Sequence, residues 1–154
     1  MVAAWGKERP DLDITPSAVV IRIALLAHAF QIELKGFFEE NGLSKADFEV
    51  LAALRRSGAP YALPQHDIMH ASRRSSGTVS FRIDRLEAQG FVRRTPDEGD
   101  ARSVIVHLSD QGKRLVDRLA PAHLANEARL LGPLTRREQL ELSDLLRKLV
   151  IHNL

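Results

Sequence analysis

Ser75-Ser76-Gly77-Thr78-Val79-Ser80-Phe81-Arg82-Ile83-Asp84-Arg85-Leu86-Glu87-Ala88-Gln89-Gly90-Phe91-Val92-Arg93-Arg94-Thr95 is the stretch that decides the fold. Val79, Ile83 and Leu86 recur at helical spacing, so a helix is expected from about Ser75 to Gln89, with Gly90 as its stop. Residues 91–95 and 103–108 are strand-like, and the polar cluster at 96–102 between them is a hairpin turn. Just upstream, a short helix carries Ile68 and Met69, and Ser72-Arg73-Arg74 makes a turn. Helix, turn, helix and two-stranded hairpin is the order of a winged helix. In that arrangement the second helix is placed to enter a DNA major groove, and the hairpin is a wing reaching the flanking backbone or minor groove.

Outward from this centre the chain is helical. Thr15 is a plausible N-cap, with Pro16 just inside. Val19, Ile23, Leu26, Phe30, Leu34 and Phe37 then mark a long amphipathic helix ending near Asn41-Gly42. A second helix opens at Ser44, with Phe48, Leu51 and Leu54 on one face, and Ser57-Gly58 ends it. Residues 61–64 are expected to form an extended connector. Beyond the wing, Ser109 caps a helix through Leu115 and Leu119, which Pro121 kinks rather than ends. Gly132-Pro133 is a break. Thr135-Arg136-Arg137-Glu138 fits a capping box leading into Leu142, Leu145, Leu146, Leu149 and Val150. The expected fold class is mainly α with a small β wing.

Composition narrows the function. At 154 residues the chain suits one domain, and without cysteine it has no disulfide, thiol nucleophile or cysteine zinc site. The apolar runs are short and broken by charges, so a membrane span is not expected, nor is a secretory signal; a soluble cytoplasmic protein is. The net charge of +2 is too small to establish a nucleic-acid partner. Its placement says more, because Arg55-Arg56, Arg73-Arg74 and Arg93-Arg94, with Arg82, Arg85 and Arg102, gather around the winged helix. No Gly-rich phosphate loop, nucleophile elbow or carboxylate–His set stands at a recognisable spacing, so no enzyme is expected and no cofactor is implied.

Gly42-Leu43-Ser44, Phe48-Glu49-Val50-Leu51, residues 82–87, residues 90–94, Asp97 with Asp100, Arg102 and Ser103, and Leu108-Ser109 followed by Gly112-Lys113 together resemble the MarR family of winged-helix regulators. The resemblance covers nearly the whole chain. It implies one domain, residues 1–154, with a helical dimerisation region at 1–40 and 109–154 and a DNA-binding winged helix at 41–108. Trp5, residues 8–12 and residues 121–124 resemble more narrowly the PecS-type, urate-responsive branch. That likeness implies a ligand site at Trp5, Glu49, Arg82 and Arg94. The branch carries Asp where Glu49 stands, and the extra methylene moves the carboxylate outward by about one bond. Two guanidiniums can hold a planar anion while an indole covers its face.

The DNA-facing residues expected are Ser75, Ser76, Thr78, Ser80, Phe81 and Arg85 on the second helix, with Arg102 at the wing tip oriented by Asp100. Phe81 points away from the apolar stripe, either to meet a thymine methyl or to pack on its own helix or a neighbouring arm. His66 and His70 share a helix face, but no third ligand is obvious, and no metal is expected. The apolar faces of the first and last helices exceed what one winged helix covers, which points to a homodimer. The expectation is a ligand-responsive regulator, a repressor released from a pseudopalindromic duplex by a small aromatic or carboxylate anion. A winged-helix protein-interaction module and a ligand-independent DNA-binding protein are the alternatives.

Overall fold

The computed structural model describes residues 5, 7–72, 76–97, 99–100 and 103–153, and the side chains of residues 70–72 and 76 are not among what it describes. The chain divides into two compact units, residues 1–45 and 46–154. The first unit holds α1 (Thr15–Glu40), with Pro16 in its opening turn. Thr15 is not its cap. Ile14 takes that position, and the Thr15 amide donates to the Asp13 carboxylate at 2.9 Å. Gly42, at a left-handed φ of 72°, closes the helix as expected.

The expectation that no stretch could span a bilayer needs correcting. Between Ile14 and Ile32 the one side chain bearing a full charge is Arg22, so α1 is long and apolar enough by length and composition alone. A single arginine does not interrupt it. Val19, Val20, Ile23, Leu25, Leu26 and Ile32 lie exposed along it.

After α1 come α2 (Lys45–Arg56), whose first residue closes the first unit, and then, in the second unit, β1 (Ala62–Pro64), α3 (Gln65–Ser72), α4 (Ser76–Ala88), β2 (Val92–Pro96), β3 (Val104–Leu108), α5 (Asp110–Leu130) and α6 (Arg136–Asn153). Leu51, Leu54, Ile68, Val79, Ile83, Leu86 and Val106 are fully buried. Each such side chain contributes about 1.5–3 kcal/mol relative to exposure. The apolar stripe predicted for α4 is therefore its buried face.

The wing is a three-stranded antiparallel sheet in the order β1-β3-β2. The stretch at 61–64, expected as a connector, supplies the third strand: Ala62 pairs His107, Leu63 pairs Val106 and Pro64 pairs Ile105. Three residues ending in proline gave too short an alternation to announce a strand. On the other side Val92 pairs Leu108 and Pro96 pairs Val104. Val92, Val106 and Leu108 form the buried face of this sheet.

The root of the wing is fastened to α5. Ser109 caps that helix by accepting from the Gly112 amide at 3.0 Å, and its hydroxyl donates to the Gly90 carbonyl at 2.7 Å. The packing is tight at Gly112: a Cβ there would stand 2.2 Å from the Phe91 carbonyl oxygen. Farther along, Arg55 donates to Asp117 at 2.8 Å, and the rings of Phe48 and His123 meet edge to face at 5.5 Å. The Tyr61 ring lies 5.0 Å from the Arg55 guanidinium and 4.7 Å from the Lys113 ammonium, a cation on each count held by its π face.

α5 runs through Pro121 without ending. The capping box before α6 forms reciprocally, with Glu138 accepting from the Thr135 amide at 2.7 Å and Thr135 accepting from the Glu138 amide at 3.3 Å. No described residue of α6 is buried, although it carries Leu140, Leu145, Leu146, Leu149, Val150 and Ile151.

Candidate nucleic-acid interface

The geometry of α4 follows from its sequence at about 100° per residue. Val79, Ile83 and Leu86 define the core side. Thr78, Arg82 and Arg85 fall on one flank, and Ser80, Asp84 and Glu87 fall on the other. Phe81 stands nearly opposite the core, and its exposure of 68% agrees with that azimuth.

Each flank is held by an ionic contact from a different element. Asp47 of α2, 0% exposed, accepts from Arg82 at 3.4 Å and is also ion-paired with Arg85. Taking a carboxylate out of water is costly unless it is paired, and removing one partner of such a pair typically costs about 3–5 kcal/mol. On the other flank Arg94 of β2 lies 2.6 Å from Asp84 and 2.9 Å from Glu87. Its side chain donates to the Ser80 carbonyl at 3.2 Å, and its amide donates to Glu87 at 2.8 Å. The helix is thus fixed in azimuth between α2 and the wing.

The expected DNA-facing residues are distributed as follows. Thr78 and Ser80 are half-buried, Phe81 and the Asp100 side chain are exposed, and the Arg85 side chain is 43% exposed beside its contact with Asp47. The Asp100 carbonyl accepts from the Ser103 amide at 2.8 Å. Ser75 and Arg102 lie outside the described residues, as do the side chain of Ser76 and the arginine pair at 73–74.

Among the expected ligand residues, Arg82 and Arg94 engage opposite flanks of α4, each with its own acidic partners. Glu49 is half-buried on α2. Trp5 belongs to the first unit and is 56% exposed. His66 contacts its neighbour Asp67 at 3.3 Å, and no group of three potential metal ligands occurs among the described residues.

Three participants escaped the sequence reading: Asp47, Asp84 and Glu87. The signal was present. Arg82 and Arg85 share a face three residues apart and need a counter-charge, while Asp84 and Glu87 repeat that spacing with opposite sign.

On the sheet, His107 accepts from or donates to the Thr95 hydroxyl at 2.8 Å. Burial, and then the charge of Arg93, hold its imidazole below the ordinary histidine range. It stands opposite Arg93 in the β2–β3 register.

Comparison with known proteins adds to this geometry. The profile described as MarR family matches residues 43–104. Over 152 residues the chain is 38% identical to the HTH-type transcriptional regulator PecS of Dickeya dadantii (strain 3937), spanning 99% of this chain and 92% of PecS. Its fold is similar to that of Sco3205, a MarR family transcriptional regulator from Streptomyces coelicolor in complex with DNA. There the TM-score is 0.82 at 21% identity, over 90% of this chain and 88% of Sco3205. It is also similar to Bordetella bronchiseptica BpsR, whose DNA binding is regulated by 6-hydroxynicotinic acid. That TM-score is 0.76 at 27% identity, over 86% of this chain and 92% of BpsR.

Proposed function

Because this chain belongs to the MarR family of DNA-binding transcriptional regulators, we propose that it is a homodimeric cytoplasmic repressor, released from a pseudopalindromic operator by a small aromatic or carboxylate anion. The observation that carries this reading is the double restraint on α4. Asp47 and Arg94 fix the helix from both flanks, while Phe81 and part of Arg85 stay open on the outside. A helix held in one azimuth with its outer face clear is what major-groove docking needs. Two copies joined through the apolar faces of α1 and α6 would present two such helices, with half-sites about one helical turn apart.

The same contacts support a release mechanism. Both candidate anion-binding guanidiniums are paired with carboxylates, so a ligand anion competes with them. When it takes Arg94, Asp84 and Glu87 lose their cation beside the DNA-facing side of α4, and the duplex phosphates are repelled. Ligand and operator then favour different arrangements, and each lowers the affinity for the other by the same factor. Glu49 would accept from the N–H or O–H groups of the bound anion.

The test is a mobility shift on the intergenic DNA beside this gene, with urate, xanthine, 6-hydroxynicotinate and small phenolic acids added singly. One of them should release the wild-type complex. If Arg94→Ala binds the operator normally and is released at the same ligand concentration, the ligand site is wrong. Trp5, the single tryptophan, provides a separate readout: its fluorescence should change on titration with the active anion.

A further inference from the structure

Asp47 lies on α2, outside the surface that would touch DNA, yet its carboxylate holds the two arginines that share a flank of the reading helix. Arg82 is the more enclosed of the two, at 22% side-chain exposure against 43% for Arg85. Arg85 places one terminal nitrogen on Asp47 and keeps donors for a second partner, since a guanidinium has five N–H groups in a fixed fork. A free arginine side chain at this position would sample many rotamers. Tied to a fully buried carboxylate, it leaves the helix in one direction, already ordered before DNA arrives.

We infer that Asp47 is a positioning residue for sequence reading: it aims the Arg85 guanidinium at one base pair of each half-site. This rests on α4 being the helix that reads the operator. The chemistry recognised is the paired acceptors of a guanine edge, which a planar fork matches bidentately and a wandering one does not. Asp47 itself touches no nucleotide. Its effect appears as discrimination between bases, whereas simple loss of a buried contact would weaken binding to every sequence alike.

The experiment begins by selecting duplexes from a random pool with the full-length wild-type protein. If no sequence is enriched, the operator-reading function fails, whatever Asp47 does. With an enriched duplex in hand, affinities are measured for it and for variants substituted at one base pair at a time. Asp47→Asn, Arg85→Gln and the double variant are compared, with circular dichroism and sedimentation confirming fold and assembly. Asp47→Asn should lose roughly tenfold in discrimination at the base pair that Arg85→Gln also relaxes. The double variant should be no worse there than Arg85→Gln alone. A uniform loss across all positions, additive losses in the double variant, or unchanged selectivity would each overturn the proposal. Should Asp47→Asn fail to fold, Asp47→Glu keeps the buried charge and displaces it by one methylene. It should show a smaller loss at that same base pair, and a uniform loss or none overturns the inference.

Discussion

Arg94, on β2 of the wing, donates to the backbone carbonyl of Ser80 in the middle of α4 at 3.2 Å. With its contacts to Asp84 and Glu87, this makes one side chain the brace between wing and helix. Arg94→Ala should cost about 1–3 kcal/mol of stability, since hydrogen bonds to a charged group are lost together. It should also weaken operator binding, because Asp84, 61% exposed, is left as a bare anion. Adding Asp84→Asn should recover part of the DNA affinity and none of the stability. Urea unfolding and fluorescence anisotropy separate the two, and recovery of both by Asp84→Asn would contradict the brace.

Phe81 is an exposed aromatic at the outermost azimuth of α4. Phe81→Asn should leave stability within about 0.5 kcal/mol, as for a surface substitution away from packed features. Preference for thymine should relax at one base step of each half-site. Unchanged selectivity on a panel of substituted operators would remove Phe81 from the reading surface.

His107 titrates below the ordinary histidine range because burial and Arg93 oppose its charged form. The unfolded chain therefore takes up the proton first as pH falls. The contribution of neutral His107 is full above the unfolded pKa, near 6.5, and is lost as pH drops through the lower folded value. Unfolding midpoints measured from pH 7.5 to pH 5 should fall more steeply for wild type than for His107→Asn. Parallel profiles would exclude His107 as the source.

Gly112 has no space for a side chain, given the 2.2 Å that would separate a Cβ from the Phe91 carbonyl oxygen. Gly112→Ala gains helix propensity, yet the clash is with backbone and cannot be relieved by a rotamer. A net loss of about 1–3 kcal/mol is expected, the usual range for overpacking. A thermal melt at or above the wild-type midpoint would show that the wing root and α5 can separate freely.

The elements were legible in the sequence because their signals are local. The stripe Val79, Ile83 and Leu86 predicted the buried face of α4, Gly42 and Gly90 marked helix ends, and Thr135 with Glu138 announced its capping box. What depends on pairing over distance was less legible. β1 has three residues and pairs with β3 more than forty positions away, so no alternation could reveal it. Asp47 meets Arg85 across 38 positions, and only the fold brings them together. The resemblance directed attention to Glu49 on the same helix, two residues from the acid that the structure ties to the reading helix.

The last helix, with no buried residue along its described length, bears on how the protein is made. If the proposed dimer forms through it, a newly synthesised chain displays that leucine-rich surface until a second copy covers it. For an obligate dimer, folding and assembly are one equilibrium, so stability rises with the amount of protein present. Gene dosage then sets more than operator occupancy: below some copy number the regulator exists mainly as single chains, open to proteases and aggregation.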